Sequence, residues 1–282
     1  MVNFRTEKVT DHITRIFGIS TELMYLVEGN QKAALIDTGS GFGSLKKVVD
    51  QLTDKSVIVL LTHGHVDHAM GAAEFNTVYM NHKDDQIFRL HGEKAFRWKG
   101  MEMSRDYKLL EESDYIETGD VTAFHDMKGG DSFDLGDVHI DIYDCPGHTK
   151  GSVAMLIREE EVLLTGDACN SFTFLFEDYS LTIEEYEESL KKLKRETAGK
   201  FKRILLSHGD GNGTVDMIDG VIQVCEDIKN GNADDISFQF KGTTGYMAKE
   251  MKMPEMIRQD GGHGNIVYNK ERVFLDTLES SK

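Results

Sequence analysis

The chain has 282 residues, 39% of them hydrophobic, and a formal net charge of −17 from 32 Lys and Arg against 49 Asp and Glu. An acidic chain is a poor ligand for a nucleic-acid backbone, and no stretch approaches the roughly 20 apolar residues of a membrane span. We expect one globular domain, residues 1–282, because no low-complexity linker divides the chain. The N-terminus shows no secretory signal pattern and the three cysteines lack CxxC spacing, so we predict a cytoplasmic protein.

The first elements are predicted to be strands. Apolar runs at 13–17, 22–27 and 33–36 are separated by polar turns, which is typical of an antiparallel meander. The meander ends at Asp37, in a glycine-rich turn before a helix over 44–52. Gly39 and Gly41 could belong to a phosphate loop, but Ser44 stands where the GxGxxG pattern requires its third glycine. We therefore predict that Asp37 holds an imidazole or a metal loop in place.

The next strand leads into the densest group of metal-ligand side chains. The apolar run 57–61 is followed at once by an HxHxDH motif, in which His63, His65, Asp67 and His68 lie within six positions. Side chains at the carboxyl end of such a strand lie where open α/β sheets bind ligands. His63 and His65 point together from an extended turn, whereas Asp67 and His68, at a helix start, diverge toward a second position. The motif predicts a metal site.

A polar, mainly helical stretch follows the short strand at 78–80. We predict that residues 81 to 124, approximately, form an insertion, which contains the only tryptophan, Trp98. The insertion either caps the site or forms an outer helical layer on the sheet. The histidines in or next to the insertion are expected first to be ordinary surface or core residues, with substrate contact as the alternative: His82, His91 and His125. His263, in a glycine turn of the C-terminal tail, is treated in the same way.

Three later strands also end in a histidine or an aspartate. The strand at 138–143 leads to His148, the hairpin 153–157 and 162–164 leads to Asp167, and the strand at 201–207 leads to His208. Helices are predicted over 182–195 and 213–229, and a last strand near 265–268. Collecting the residues at strand ends gives seven candidate metal ligands: His63, His65, Asp67, His68, His148, Asp167 and His208. Nitrogen and carboxylate ligands without thiolates favour zinc, with iron or manganese as the alternatives.

The seven candidates divide into two sets of three with one carboxylate between them. His63, His65 and His148 are assigned to one ion, the trio of Asp67, His68 and His208 to the other, and Asp167 to a bridging position. Two divalent ions, two carboxylates and a bridging hydroxide leave a cluster of about one positive charge, which attracts a carbonyl or phosphoryl oxygen. Zinc lowers the pKa of bound water to about 7, so that hydroxide is available at neutral pH. Asp67 is the candidate for proton handling.

Taken together, the HxHxDH motif, the PGHT sequence at 146–149, the Gly-Asp pair at 166–167 and the Ser-His-Gly turn at 207–209 resemble the metallo-β-lactamase-fold hydrolases. The resemblance extends from the meander to at least His208. It implies an α/β fold, the αββα sandwich of that family, with a dinuclear site at one edge, the same two trios of ligands and a structural aspartate at Asp37. In secreted β-lactamases of the family a cysteine replaces the bridging aspartate. Here Asp167 occupies that place and Cys169 follows two positions later, which argues against antibiotic resistance.

Within the family the sequence is most similar to glyoxalase II-like thioesterases and lactonases, although the C-terminal part carries no recognisable glutathione-binding signature. We predict a binuclear zinc hydrolase that cleaves a small ester, thioester, lactone or phosphodiester, with no nucleic-acid or membrane partner and an undetermined oligomeric state. The alternative is a mono-iron oxidoreductase similar to the persulfide dioxygenases. Val66 argues against the diiron reductase branch, which usually has a glutamate there. Phe172, Phe174 and Phe176 alternate over 171–179 and form either a buried strand or a substrate wall.

Overall fold

A computed structural model describes residues 2–102, 104, 107–240, 242–252 and 257–275, so positions 103, 105 and 106 of the predicted insertion lie outside the described residues. The strands, in chain order, are β1 (Arg5–Lys8), β2 (Ile13–Phe17), β3 (Leu23–Glu28), β4 (Lys32–Ile36), β5 (Ser56–Leu60), β6 (Val78–Met80), β7 (His125–Asp126), β8 (Ser132–Asp134), β9 (His139–Asp144), β10 (Val153–Ile157), β11 (Val162–Leu164), β12 (Thr173–Leu175), β13 (Arg203–Leu205), β14 (Asn212–Gly213), β15 (Ile236–Phe240), β16 (Thr243–Met247), β17 (Met251–Lys252), β18 (Ile257–Arg258) and β19 (Ile266–Tyr268).

The α-helices are α1 (Leu45–Leu52), α2 (Val66–Ala69), α3 (Asp85–His91), α4 (Lys94–Met101), α5 (Ile183–Thr197) and α6 (Met217–Lys229). Short 3₁₀ helices lie at Ala72–Glu74, His82–Asp84, Tyr107–Leu109, Glu112–Asp114, Val121–Ala123 and Lys270–Arg272. None of the helices in the described part of the chain has the length and apolar character that a bilayer crossing requires.

Two large sheets form the centre of the fold. The first has seven strands in the order β1 to β7, antiparallel from β1 to β4 and parallel from β4 to β7. The second has six strands in the order β14-β13-β11-β10-β9-β8, in which β13 joins β11 in parallel. The predicted opening meander is confirmed by the antiparallel pairing of β2, β3 and β4.

Helices cover the outer face of each sheet, and three apolar cores result. One core lies between the sheets and includes Tyr25, Leu60 and Met155. The second joins the outer face of the first sheet to α1, and the third joins the second sheet to α5 and α6. Successive residues of β4 therefore point alternately into two cores, with Ile36 between the sheets and Leu35 toward the helices. This helix, sheet, sheet, helix arrangement confirms the predicted αββα sandwich.

The parallel pairs bring the candidate ligands to one edge of the sandwich. Because β4 and β5 run in parallel, Asp37 and the HxHxDH turn leave the first sheet side by side. Because β11 and β13 run in parallel, Asp167 and His208 leave the second sheet in the same way. Parallel strand pairing thus explains how these residues, which are far apart in sequence, come to lie side by side.

The predicted insertion contains α3 and α4 and packs on the turn that follows β4. Arg97 of α4 is fully buried, and its guanidinium donates to the carbonyl oxygens of Ser40, at 3.1 Å, and Gly41, at 2.6 Å. The same group donates to the Ile116 carbonyl at 2.7 Å. A buried guanidinium that bonds carbonyl groups from both segments fixes the insertion against the glycine-rich turn.

Two details of the C-terminal half differ from the sequence prediction. The helix predicted over 213–229 begins at Met217, because residues 212 and 213 pair with β13 as an edge strand. A hairpin of β15 and β16, which the sequence did not predict, joins β12 and β19 in a separate four-stranded sheet. Cys145, Cys169 and Cys225 are free thiols buried in the core under α5 and α6.

Candidate metal centre

The first trio of candidate ligands is deeply buried. His63 and His65 follow β5 and His148 follows β9, and one ligand atom from each lies within 4.8 Å of the others. Their exposures are 1%, 7% and 5%, and the His148 Nε2 to His65 Nδ1 distance is 2.9 Å. Burial, reinforced by the neighbouring imidazoles, lowers the pKa of His63 and of His65 well below the usual range. Both rings are therefore neutral near pH 7, the form that binds metal.

The second trio is more open. One ligand atom each from Asp67, His68 and His208 also lies within 4.8 Å of the others. The His208 Nε2 to Asp67 Oδ2 distance is 3.6 Å, and these two side chains are each 30% exposed, whereas His68 is fully buried. Asp67 and His68 belong to α2, and the His68 ring lies against His63, with ring centroids 4.1 Å apart.

Asp167 lies between the two trios. Its Oδ2 atom is 3.3 Å from His208 Nε2, 3.6 Å from His68 Nε2 and 3.7 Å from His148 Nε2. Burial alone would raise the pKa of Asp167, but His208 and His68 hold the pKa of this carboxyl well below its usual range. An ionised carboxylate that reaches histidines of both trios suits the bridging position expected from the sequence.

The histidines of the second trio carry charge in the ion-free protein. Burial alone would lower the pKa of His68, but Asp67, Asp37 and Asp167 outweigh it and raise this pKa well above the usual range. Burial alone would also lower the pKa of His208, but Asp167 outweighs burial and raises this pKa to about 9. His68 and His208 therefore differ in protonation from His63 and His65 of the first trio.

Three buried ring nitrogens in the cluster have no hydrogen-bond partner among the described residues. They are the Nε2 atoms of His63, His65 and His68. A buried polar atom without a partner costs about 1–3 kcal/mol, so such atoms normally have one. The Nδ1 atoms of His63 and His68 are occupied by Thr62 and Asp37, which leaves their Nε2 atoms for the centre. The residues therefore fit a bound cation.

Asp37 supports both trios at once. Its Oδ2 atom lies 2.8 Å from His68 Nδ1, and its Oδ1 atom accepts a hydrogen bond of 2.7 Å from the Thr62 backbone N–H. The Thr62 hydroxyl contacts Asp37 and also lies 3.0 Å from His63 Nδ1. Asp37 adopts a φ of 61°, which is rare for a residue with a side chain and is typical of strained functional positions. These contacts place Asp37 against His68 and, through Thr62, against His63.

Asp84, which the sequence reasoning missed, joins the two turns of the first trio. Its buried carboxylate accepts hydrogen bonds from the Gly64 N–H at 3.0 Å, the Thr149 hydroxyl at 2.7 Å and the Gly151 N–H at 2.7 Å. A Cβ atom on Gly151 would lie 2.6 Å from the Asp84 Cγ atom, so glycine is needed there. Burial raises the pKa of Asp84, and these hydrogen bonds oppose that rise. The available signal was a carboxylate shortly after β6, the next parallel strand.

Arg15, also missed, supports the turn that carries His208. It is 3% exposed, and its guanidinium donates to the carbonyl oxygens of Asp210 at 2.8 Å and Gly211 at 3.1 Å. Gly211 has a φ of 74°, and a Cβ atom there would lie 2.7 Å from the Arg15 Cζ atom. A side chain from the first sheet thus fixes a turn of the second sheet. An arginine within a meander strand gives no sequence signal of this role.

Aromatic rings from the insertion and from residue 179 surround His65. The His91 ring stacks on His65 with centroids 4.6 Å apart, and the Phe96 ring stacks on His91 at 4.5 Å. Tyr179 meets His65 edge-on at 5.4 Å. The backbone N–H of Val66 donates to His91 Nδ1 at 3.2 Å. The other histidines named above have partners elsewhere: His82 bonds Asp85, His125 stacks on Tyr79 and His263 bonds Asp216.

The alternating aromatics after Asp167 form part of a larger group. Phe174 lies in β12 between buried Thr173 and Leu175, and its carbonyl oxygen is 2.7 Å from His148 Nδ1. Ring contacts join it to neighbours on its own strand and on β15. We call the resulting group the phenylalanine cluster: Phe172, Phe174, Phe176, Phe238 and Phe240.

Comparison with known proteins agrees with this geometry. The family model described as the metallo-beta-lactamase superfamily matches residues 20–208. Acyl-coenzyme A thioesterase MBLAC2 of Gallus gallus is 27% identical over 156 residues, which cover 51% of this chain and 56% of that protein. Hydroxyacylglutathione hydrolase GloC of Haemophilus influenzae is 26% identical over 146 residues, which cover 50% of this chain and 62% of that protein. The chain thus spans little more than half the length of these relatives.

Solved structures show the same fold at low sequence identity. The metallo-β-lactamase FIM-1 from Pseudomonas aeruginosa superposes with a TM-score of 0.58 and 14% identity, over 79% of this chain and 94% of that chain. An archaeal metallo-β-lactamase superfamily protein from Sulfolobus tokodaii superposes with a TM-score of 0.53 and 18% identity, over 79% of this chain and 85% of that chain. The predicted α/β architecture is confirmed by these matches.

Proposed function

Because the chain belongs to the metallo-β-lactamase superfamily, we propose that it is a binuclear zinc hydrolase of small acyl compounds, with a thioester as the first substrate to test. Esters and lactones share the acyl carbonyl, and a phosphodiester is the remaining member of the predicted range. The names of two relatives, an acyl-coenzyme A thioesterase and a hydroxyacylglutathione hydrolase, both denote removal of an acyl group from a thiol carrier. They support the thioester.

The observation that carries this proposal is the pair of histidine-containing trios on either side of Asp167. Their donors are imidazole nitrogens and carboxylate oxygens without a thiolate, a set that suits zinc and also accommodates iron or manganese. His63, His65 and His148 would hold one ion, and Asp67, His68 and His208 the other. Asp167 would contact both.

Zinc at these positions supplies Lewis acidity, which lowers the pKa of coordinated water to about 7 and polarises a substrate carbonyl. The chain's own residues orient the reactants. Burial acts to raise the pKa of Asp67, but His68 and His208 outweigh it and lower this pKa, so the carboxylate is ionised at neutral pH. An ionised, 30% exposed Asp67 accepts a hydrogen bond from water and orients it, whereas its low pKa makes it a weak base.

We include three further statements in the proposal. The first is that the chain acts as one catalytic domain. The second is that its substrate is a small molecule rather than a nucleic acid, which the acidic net charge of −17 supports. Its location is cytoplasmic, since the three cysteines are unpaired and buried, as is common in a reducing compartment.

Metal analysis of the full chain, purified without added metal and then assayed on an acyl thioester, tests the proposal. We expect about two zinc ions per chain together with hydrolysis. Replacement Asp167→Ala should remove hydrolysis, while His263→Ala, a histidine paired with Asp216 outside the cluster, should keep it. One iron per chain with oxygen consumption would instead establish the mono-iron oxidoreductase and overturn the hydrolase.

A further inference from the structure

The phenylalanine cluster, which begins beside the metal centre, has no role in the hydrolytic chemistry described above. We propose that it binds the apolar acyl chain of the substrate, and that the enzyme therefore prefers thioesters of longer, uncharged acyl groups over acetyl thioesters. This inference rests on the proposed thioester hydrolysis and adds the substrate class. Four observations support it: the arrangement of the rings, their connection to candidate ligands, the absence of charge and their exposure.

The five rings form one continuous group across two strands. Phe172, Phe174 and Phe176 occupy alternate positions, so their side chains share one face of the chain segment through β12. Phe174 contacts Phe238 with ring centroids 5.8 Å apart and Phe240 at 5.1 Å. At a strand rise of about 3.3 Å per residue, the row from Phe172 to Phe176 is about 13 Å long. This length far exceeds an acetyl group.

A glycine allows the rings to come together. Gly245 in β16 pairs with Phe238 across the hairpin. A Cβ atom on Gly245 would lie 2.7 Å from a Val267 methyl carbon and 3.2 Å from the Phe176 ring. Because no side chain occupies this position, the ring of Phe176 packs closely over the hairpin backbone. The close packing holds the two rows of rings as one surface.

Two hydrogen-bond connections join the cluster to candidate ligands. The Phe174 carbonyl oxygen lies 2.7 Å from His148 Nδ1. The Phe172 N–H donates at 2.7 Å to the Asn170 side chain, which in turn donates at 3.2 Å to Asp167 Oδ1. The row of rings therefore starts at a fixed position relative to the metal centre. A substrate with its carbonyl at the centre has a rigid apolar surface beside it for its acyl substituent.

The chemistry of the lining fits an uncharged hydrocarbon. The sequences of β12 (TFL) and β15 (ISFQF) contain no ionisable side chain, although the whole chain carries 29% charged residues. These two strands offer no ion-pair partner to a charged group, whereas each methylene buried on their rings stabilises the complex by hydrophobic transfer. Among the substituents that an acyl carbonyl can carry, an alkyl chain is the complementary one.

Four of the five phenylalanine side chains of the cluster are more exposed than the residues of the apolar core. Phe172, Phe174, Phe238 and Phe240 are each partly exposed, whereas Val267, in the same sheet, is fully buried. The intervening Ser237 and Gln239 of β15 are exposed. Contiguous exposed aromatic surface is unusual on a globular protein and commonly marks a binding site. Its position beside the metal centre makes the substrate the occupant.

A series of acyl thioesters with one common thiol, from acetyl to decanoyl, tests the inference on the zinc-loaded full chain. We expect kcat/KM to rise by roughly twofold to fourfold per added methylene, as burial of a methylene on an apolar surface predicts. Replacements Phe238→Gln and Phe240→Gln should each lower kcat/KM for decanoyl thioester on the order of tenfold while leaving acetyl thioester and zinc content unchanged. Val215→Gln is the control, an exposed apolar residue beside Phe201, at the opposite end of β13 from His208.

Equilibrium binding of decanoate, measured by calorimetry, tests the cluster without turnover. Weaker binding to Phe238→Gln than to Val215→Gln would support the acyl surface even if no thioester were cleaved, in which case only the proposed function would fail. Equal kcat/KM for all chain lengths, or decanoate binding that Phe238→Gln leaves unchanged, would overturn the inference. A change of sedimentation coefficient in Phe238→Gln with an unchanged chain-length preference would also overturn it, in favour of a protein partner on this surface.

Discussion

The two trios of the metal centre use similar residues but offer different environments. His63, His65 and His148 are at most 7% exposed, and burial lowers the pKa of the first two. Asp67 and His208 of the second trio are each 30% exposed, and the pKa of His208 is raised to about 9. The comparison indicates a buried first site in which His63 and His65 are neutral, and a more open, charged second site that faces the solvent.

The side chains that hold the two trios in place also differ. In the first, the single carboxylate of Asp84 ties the His63–His65 turn to the turn after His148 through three hydrogen bonds. In the second, Asp37 holds His68 and the separate guanidinium of Arg15 holds the His208 turn. The two turns of the first trio thus share one carboxylate, whereas the second trio is held by two separate side chains, of which Asp37 also supports His63 through Thr62. We therefore expect the trios to respond differently to substitution and to pH.

Loss of one ligand from each trio is expected to give the largest effects. His63→Ala should reduce zinc to below one ion per chain and remove hydrolysis, since the buried site loses a neutral ligand and leaves the other rings unpaired. His208→Ala should keep about one zinc ion but lower activity by more than the roughly 100-fold that an outer-shell change costs. Metal analysis of both variants measures the zinc content, and thioester assays measure the activity. Equal zinc loss in both would remove the distinction between the trios.

Removal of the Asp84 carboxylate should act on the first trio. Asp84→Ala leaves three buried donors without their acceptor, so we expect a fall in unfolding free energy of about 3 kcal/mol or more. Zinc affinity of the first site should fall by roughly 10- to 100-fold. Urea unfolding and zinc competition with a chelator give the two values. Asp85→Ala, the adjacent carboxylate that pairs with His82, is the control and should change neither value.

The pH dependence of zinc binding should separate the trios without any substitution. Zinc binds neutral imidazole, and a pKa of about 9 leaves His208 protonated at pH 7, so zinc must displace a proton. Affinity of the second site should therefore rise by about tenfold per pH unit for each proton displaced, and the part of this rise that comes from His208 should level off above pH 9. The first site should show no such rise between pH 7 and 9, because the pKa values of His63 and His65 are lowered.

Calorimetric titrations in buffers of different ionisation enthalpy count the protons released at each step. Proton release that occurs only when the second zinc ion binds would agree with the raised pKa of His208. Equal release at both steps would contradict the assignment of neutral rings to His63 and His65.

The smallest effect is expected from the support of the second trio. Arg15→Lys keeps the charge but lacks the planar fork that reaches the carbonyls of Asp210 and Gly211. We expect activity to fall by roughly tenfold, at the lower end of the range for outer-shell changes, with the first zinc ion retained. A fall in zinc content at both sites would show that Arg15 supports the whole centre instead. Arg158→Lys, on the exposed ion pair with Asp141, is the matched control.

The structure brings together the candidate ligands that the sequence predicted, and each of them lies in a segment that follows a strand. Local patterns identified those strand ends. The parallel pairing of β11 with β13 places Asp167 beside His208, whereas His148 follows β9, which pairs antiparallel with β10. The supports were missed because they depend on contacts between distant segments: Asp84 meets Gly151 across 67 positions, and Arg15 meets Gly211 across 196. The hairpin of β15 and β16 was missed for a related reason, since its strands alternate only weakly and are stabilised by β12 and β19.

Activity followed during zinc titration of the ion-free full chain tests the central claim most directly. Each step of the titration is paired with an assay of acyl thioester hydrolysis and with calorimetric stoichiometry. We predict two binding steps, the first at the buried trio, with hydrolysis rising until the second equivalent is bound. Hydrolysis that is complete after one equivalent, or a single binding step in the whole titration, would contradict a two-ion centre.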